Sequence, residues 1–245
     1  MVKIRIGCDD GKYSESELLE IMRTLRAPGG CPWDIEQTHK SIRNDLLEEA
    51  YEVADAIDTD DDEALCEELG DLLLQVVFHS VISEEEKKFD YSDVVDGIAR
   101  KLVLRHPHVF GEARAENSSE VLDLWDDIKK EEKHQTTATD TLKSVPRAFP
   151  ALMRAAKVQK RAKKAGFEFS DPVKSGNVLN LSKELETAYE NGDKQSAKEI
   201  YGRLLFELSR FGKLIDADPE ETLGIETDSF INRFEEIEKQ GGKQF

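Results

Sequence analysis

From Leu46 to Phe78 the chain carries one pattern of apolar and polar positions twice. In LLEEAYEVADAI, counted from Leu46, and in LCEELGDLLLQV, counted from Leu65, apolar residues fall at offsets 0, +4, +7 and +11. That spacing winds a single buried stripe along a helix. It predicts two helices, Thr38 to Ile57 and Asp62 to Glu86, antiparallel across the short acidic connection Asp58 to Asp62. Each segment also places acids at offsets +3 and +6, which are Glu49 and Glu52 in the first and Glu68 and Asp71 in the second. Residues three apart project from one side of a helix, so both pairs border the stripe and converge at the edge of the core.

The same kind of pattern runs along the rest of the chain. A capping box at Ser14 to Glu17 opens a helix with Leu18, Ile21, Met22 and Leu25 on one face, stopped by Pro28-Gly29-Gly30. Further helices are predicted over Tyr91 to Leu104, from an Asn117 to Glu120 cap through Trp125 to Lys133, over Pro146 to Lys164, Leu179 to Glu190 and Lys194 to Ile215, and over Asp228 to Gln240. No period-two strand appears, so the fold class is all-α. The threonine-rich stretch QTTATDTLKS changes the composition at 135–144 and reads as a boundary. The expected organisation is a helical domain at 1–135, a linker at 136–145 and a second helical domain at 146–245. An internal repeat with an offset of 132 residues pairs Glu52 with Glu184, Gly70 with Gly202 and Leu72-Leu73 with Leu204-Leu205. At the other acid positions the second half has Leu181, Ile200 and Arg203, so it keeps the helices and loses the acids.

Four carboxylates at one point need a counter-ion. Oxygen-only ligands suit a hard cation, and Mg²⁺, with Mn²⁺ as a substitute, leaves water positions open for substrate phosphates. A merely solvated acidic face would lie opposite the apolar stripe, whereas these four flank it, where uncompensated charge is costly. Cations for a phosphate chain are available at Lys101 and Arg105, four apart on one helical face in KLVLRHPHVF. A di-iron site is a poor fit. Glu36 with His39 and Glu131 with His134 have the Glu-x-x-His spacing, but the second lies in KKEEKHQTT with no apolar flank.

Charge narrows the partners. With 34 basic against 52 acidic residues the net charge is −18, which disfavours a long nucleic acid or an anionic membrane but not a small phosphate ligand. No stretch reaches the length of a membrane span, and the N-terminus turns acidic before any apolar segment, unlike a secretory signal. Cytoplasmic residence is therefore expected. Cys8, Cys31 and Cys66 form no CxxC pair, which argues against a disulfide framework or a zinc site. Trp33, in the CPWD loop, reads first as a core plug and second as a base-stacking platform.

Six ordered segments, GGCPWD, QTHKSI, LLEEAYEVADAI, EELGDLLLQVVFHS, KLVLRHPHVF and VLDLWDDIKKEEK, resemble the MazG family of nucleoside triphosphate pyrophosphohydrolases. PRAFPALMRAAKVQKRAKKAGFEF is similar to that family's connection to its second helical domain. The resemblance implies two tandem MazG-like helical-bundle domains, the second degenerate, and Mg²⁺-dependent cleavage of a nucleoside triphosphate to a monophosphate and pyrophosphate, a housecleaning activity on the nucleotide pool. It places metal ligands at Glu49, Glu52, Glu68 and Asp71, with Glu48 completing an EExxE form as a candidate water-activating base. It places the phosphate-facing cations at Lys101 and Arg105, and substrate contacts at Trp125 and Lys129, with Trp33 a further candidate beside the base. It also implies a homodimer, in keeping with an apolar surface on the Asp62 to Glu86 helix wider than one stripe. The alternative is a nucleotide-binding regulator without turnover.

Overall fold

The structure, a computed structural model, describes residues 11–114, 117, 120–121, 125, 128 and 137–239. It is all-α: eleven helices are described and no strand occurs among the described residues. None of these helices is long and apolar enough to cross a membrane. The chain divides into two compact units, Met1–Asp126 and Asp127–Phe245.

The first unit contains α1 (Glu15–Arg26), α2 (Pro32–Glu36), α3 (Arg43–Asp58), α4 (Asp62–Glu85), α5 (Tyr91–Arg105) and α6 (Pro107–Phe110). Its core joins Met22 of α1, Ile42 before α3, and Val77, Phe78, Val81 and Ile82 of α4, with Leu18, Leu19, Leu74 and Tyr91 around them. Each large apolar side chain buried there contributes about 1.5–3 kcal/mol. The Ser14–Glu17 capping box forms as the sequence predicts. The chain leaves α1 through Gly29, at φ 86°, and Gly30, where a Cβ would run into the carbonyl oxygens of Thr24 and Leu25. Glycine is therefore required at the second position for close approach and favoured at the first for its backbone angle.

Arg26 then fastens the 31–37 segment. Its guanidinium is buried over the Phe78 ring at 5.3 Å. It donates to the Asp34 and Gln37 carbonyls and forms a two-pronged pair with Glu85 at 2.9 and 2.7 Å. Arg23 makes a similar pair with Glu84, both bonds 2.9 Å. Two bidentate arginines thus tie α1 to the end of α4.

Some elements start or stop elsewhere than the periodicity predicts. α3 begins at Arg43, not Thr38, because Thr38 to Ser41 closes its own turn: the Ser41 hydroxyl accepts from the Thr38 amide at 2.9 Å and the Thr38 hydroxyl from the Ser41 amide at 3.2 Å. Trp33 is 57% exposed, so it is not a core plug. Asn117 Oδ1 accepts the expected cap bond from the Glu120 amide at 3.1 Å, and Asn117 Nδ2 donates to the Glu120 carboxylate at 2.7 Å; most of the helix they would start, Lys129 included, lies outside the described residues.

The second unit contains α7 (Ala138–Lys143), α8 (Ala151–Lys164), α9 (Asn177–Glu190), α10 (Lys194–Gly212) and α11 (Pro219–Lys239). The stretch read as a linker holds α7, opened by a Thr137–Asp140 capping box. α8 starts after Pro150 rather than at Pro146. α11 starts at Pro219, nine residues before the predicted Asp228, since Asp218 Oδ1 accepts from the Glu220 and Glu221 amides at 3.0 and 3.5 Å and proline suits a first helical position. α9 and α10 form a hairpin turned at Gly192, with φ 70°.

Candidate metal and nucleotide site

α3 and α4 pack against one another across a three-residue turn. The turn uses Asp60 at φ 53°, a left-handed angle that aspartate tolerates better than most residues, and Asp61 caps α4 by accepting from the amides of Glu63 and Ala64. Locking the hairpin this way brings carboxylate oxygens of Glu49, Glu68 and Asp71 all within 4.8 Å of one another. Three of the four predicted acids therefore meet from two helices.

Glu52 lies at the margin of this group rather than inside it. At 100° per residue it projects between Glu48 and Glu49, about 40° from one and 60° from the other. Its charge acts on both Glu49 and Glu68. With Glu48, Asn44, Leu47, Tyr51 and Asp55 it also lines an open groove of about 630 Å³ along α3.

The electrostatics show the strain of this crowding. Burial, followed by the charges of Asp71, Glu52 and Glu68, pushes the Glu49 carboxyl above its ordinary range. The Glu68 carboxyl is raised too, by desolvation first and then by Glu52, Glu67 and Asp71. Like charges with no counter-charge disfavour ionisation in this way, and oxygen donors alone at such separations fit a hard divalent cation.

The cations lie on the neighbouring helix. α5 packs against α4; Lys101 is exposed on it and makes no ion pair among the described residues, while Arg105, half-buried, ends it. Trp125 meets that same end, its ring edge-on to His106 at 4.9 Å. Trp33 sits elsewhere, edge-on to Phe78 at 6.3 Å.

A cavity of about 120 Å³ opens beside Trp33, lined also by Phe78, Gln75, Asp45 and Leu74. Gln75 is buried, and its Oε1 has no hydrogen-bond partner. It stands one turn from Asp71 on α4. Residue patterns single out neither Gln75 nor this cavity; the only signal is one amide inside the apolar run LLLQVVF.

In the second unit, three of the positions aligned with the acids, Leu181, Glu184 and Arg203, line a groove between α9 and α10. Ile200 is buried, Leu181 is half-buried, and Arg203 reaches Glu184 at 3.5 Å. The surviving acid is thus paired to a cation of its own hairpin.

Comparison with known proteins bears on this arrangement. The model of the MazG nucleotide pyrophosphohydrolase domain matches residues 37–110, a span containing Glu48, the four acids, Lys101 and Arg105. The chain is 44% identical over 230 residues to the nucleoside triphosphate pyrophosphohydrolase of Escherichia coli strain K12, covering 91% of this chain and 86% of that one. It is 38% identical over 223 residues to the nucleoside triphosphate pyrophosphohydrolase/pyrophosphatase MazG of Thermotoga maritima, covering 91% and 85%. A Mycobacterium tuberculosis nucleoside triphosphate pyrophosphohydrolase shares 41% over 165 residues, 66% of this chain and 49% of that one. With its acid-lined helical hairpin inside the matched span, the chain belongs to the MazG family of nucleoside triphosphate pyrophosphohydrolases.

Proposed function

We propose that the first unit hydrolyses nucleoside triphosphates to a nucleoside monophosphate and pyrophosphate at the α3–α4 hairpin, using Mg²⁺, in the cytoplasm. The observation that carries this reading is the convergence of Glu49, Glu68 and Asp71 within 4.8 Å. A side-chain rotation brings Glu52 in as the fourth ligand. When bound, the divalent cation supplies positive charge to phosphate oxygens and lowers the pKa of water.

The chain's own residues do the rest. Glu48, on the groove side of α3, takes the proton of the water that attacks the α-phosphorus. The bond to the bridging oxygen breaks, and Lys101 and Arg105 neutralise the charge that develops on the departing pyrophosphate. The base enters the cavity beside Trp33, where Gln75 Oε1 accepts a hydrogen bond from a ring or exocyclic N–H. Trp125, edge-on to His106 beside Arg105, closes the phosphate end, and Lys129 adds a further substrate contact.

Replacing Glu68 by Gln keeps the side-chain shape and removes the charge. Incubated with a triphosphate and Mg²⁺, the wild type should release pyrophosphate rather than orthophosphate, and Glu68→Gln should release it at least about 100-fold more slowly, the scale expected when one charge-stabilising group is lost. Wild-type turnover by Glu68→Gln would sink the site assignment, and nucleotide binding with no pyrophosphate release by the wild type would favour the regulator instead.

A further inference from the structure

The second unit has a cavity distinct from the groove that aligns with the acid site. It measures about 960 Å³ and lies between the end of α8 and the end of α10. Lys160, Lys163 and Lys164 line it from α8, and Arg210 and Lys213 from α10 and just beyond. Against these five cations stand two lining carboxylates, Glu168 and Asp171. In a chain with net charge −18, a local excess of positive charge around one concavity is a departure from the rest of the surface.

One of the two acids is already engaged. Asp171 Oδ1 accepts from the Val173 and Lys174 amides at 2.9 and 3.0 Å, and those bonds hold its carboxyl below its ordinary range. Lys160 and Lys163 have no ion-pair partner among the described residues. Lys213 is engaged only at 3.7 Å, with Asp218.

The remaining wall is aromatic and fixed. Phe167 lies edge-on to Phe169 at 4.8 Å and is 60% exposed. Arg210 lies over the Phe169 ring at 5.3 Å, donates to the Ser170 carbonyl and pairs with Glu207. Gln159 is anchored by its Nε2 on the Phe206 carbonyl at 2.7 Å. Two polar atoms of this floor, Gln159 Oε1 and Arg210 Nε, are buried with no hydrogen-bond partner. Folded proteins leave few such atoms unmatched, and a bound ligand or water is a usual reason for those that remain.

We propose that this cavity binds a nucleoside phosphate without a divalent cation, its phosphate against Lys160 and Lys163 and its flat ring against Phe167. The lysines provide the counter-charge that elsewhere in the molecule a metal must supply. An exposed aromatic face accepts a base by stacking, whatever its identity. This second site goes beyond the hydrolytic reading and does not depend on it.

The test uses the full chain carrying Glu68→Gln in the presence of a chelator, so that the acid hairpin holds no metal–nucleotide complex. Calorimetric titration with adenosine monophosphate should show binding that weakens as salt rises. Adding Lys160→Ala and Lys163→Ala together, both exposed positions, should weaken it by about tenfold or more, the scale of one lost charge-assisted contact. Inorganic phosphate should bind less tightly than the nucleotide, and Phe167→Ala should erase that difference. No binding under these conditions, or an unchanged affinity in a lysine double variant whose melting curve matches its parent, would overturn the site. Equal affinity for phosphate and nucleotide would overturn the ring's part in it.

Discussion

Glu49 is where chemistry and stability pull in opposite directions. Its carboxyl titrates above the ordinary range, so in the metal-free protein the folded state holds its proton to a higher pH than the unfolded chain does. Stability from such a group falls as pH rises from the unfolded pKa through the folded one. Glu68 behaves alike. At neutral pH both charges are therefore a standing penalty until a cation is bound. Replacing Glu49 by Gln should raise the melting temperature of the chelated protein at pH 7 and abolish both pyrophosphate release and the melting shift that Mg²⁺ gives the wild type. The wild-type Mg²⁺ shift should itself grow as pH rises through and above the ordinary carboxylate range, where the raised Glu49 and Glu68 carboxyls ionise. Thermal melts with chelator and with Mg²⁺ across that range check both, and a metal-free Glu49→Gln protein that melts lower than wild type would contradict the repulsion. These acids are legible in the sequence because helix periodicity fixes which side they share. Glu52's place at the margin is less so, since a 3.6-residue turn leaves it between two faces, and its side-chain rotation decides which it serves.

At the scale of helices, local signals and distant ones divide the legible from the hidden. α4 is legible from its long apolar run and the acids at its start, where Asp61 caps it. The start of α3 was not, since the serine and threonine hydroxyls of Thr38 to Ser41 offer the backbone a competing turn. The setting of Trp33 depends on contacts no local pattern contains: its ring meets Phe78 edge-on, and the segment that carries it is held by the buried guanidinium of Arg26, whose acid partner Glu85 is 59 residues away. α5 shows a further consequence of packing. Val95, Ile98 and Leu102 remain exposed in a row at three- and four-residue spacing, and Leu69 and Leu73 of α4 are exposed as well. An unpartnered stripe of this kind marks an interface, and we propose that it is where two copies associate. Sedimentation should give a dimer at micromolar concentration, and Ile98→Asp with Leu102→Asp should give a folded monomer. A wild-type monomer at that concentration would remove the proposal.

Over the whole molecule, the two halves repeat one hairpin with different contents. In the first, the carboxylates of Glu49, Glu68 and Asp71 crowd within 4.8 Å of one another; in the second, Leu181 and Ile200 supply apolar packing, and Glu184 pairs with Arg203 at 3.5 Å. That exposed pair contributes about 0–1 kcal/mol, so it does not explain why the hairpin persists; burial of Ile200 and Ala188 does so better. By the same 132-residue offset Lys101 falls on Arg233, which is taken up by Glu226 at 2.8 Å. One carboxylate facing an arginine gives a divalent cation no fixed seat from which to orient a phosphate. The second unit should therefore be inert as a hydrolase. A fragment beginning near Ser144 should release no pyrophosphate from any triphosphate and show no melting shift with Mg²⁺, while one ending near Gln135 should keep the activity with some loss of stability. The full chain with Arg203→Ala should turn over like wild type, because that residue faces no reacting group. Metal-dependent turnover by the isolated second unit would mean that the 132-residue alignment of the acids is misplaced and that its catalytic carboxylates lie elsewhere in the unit.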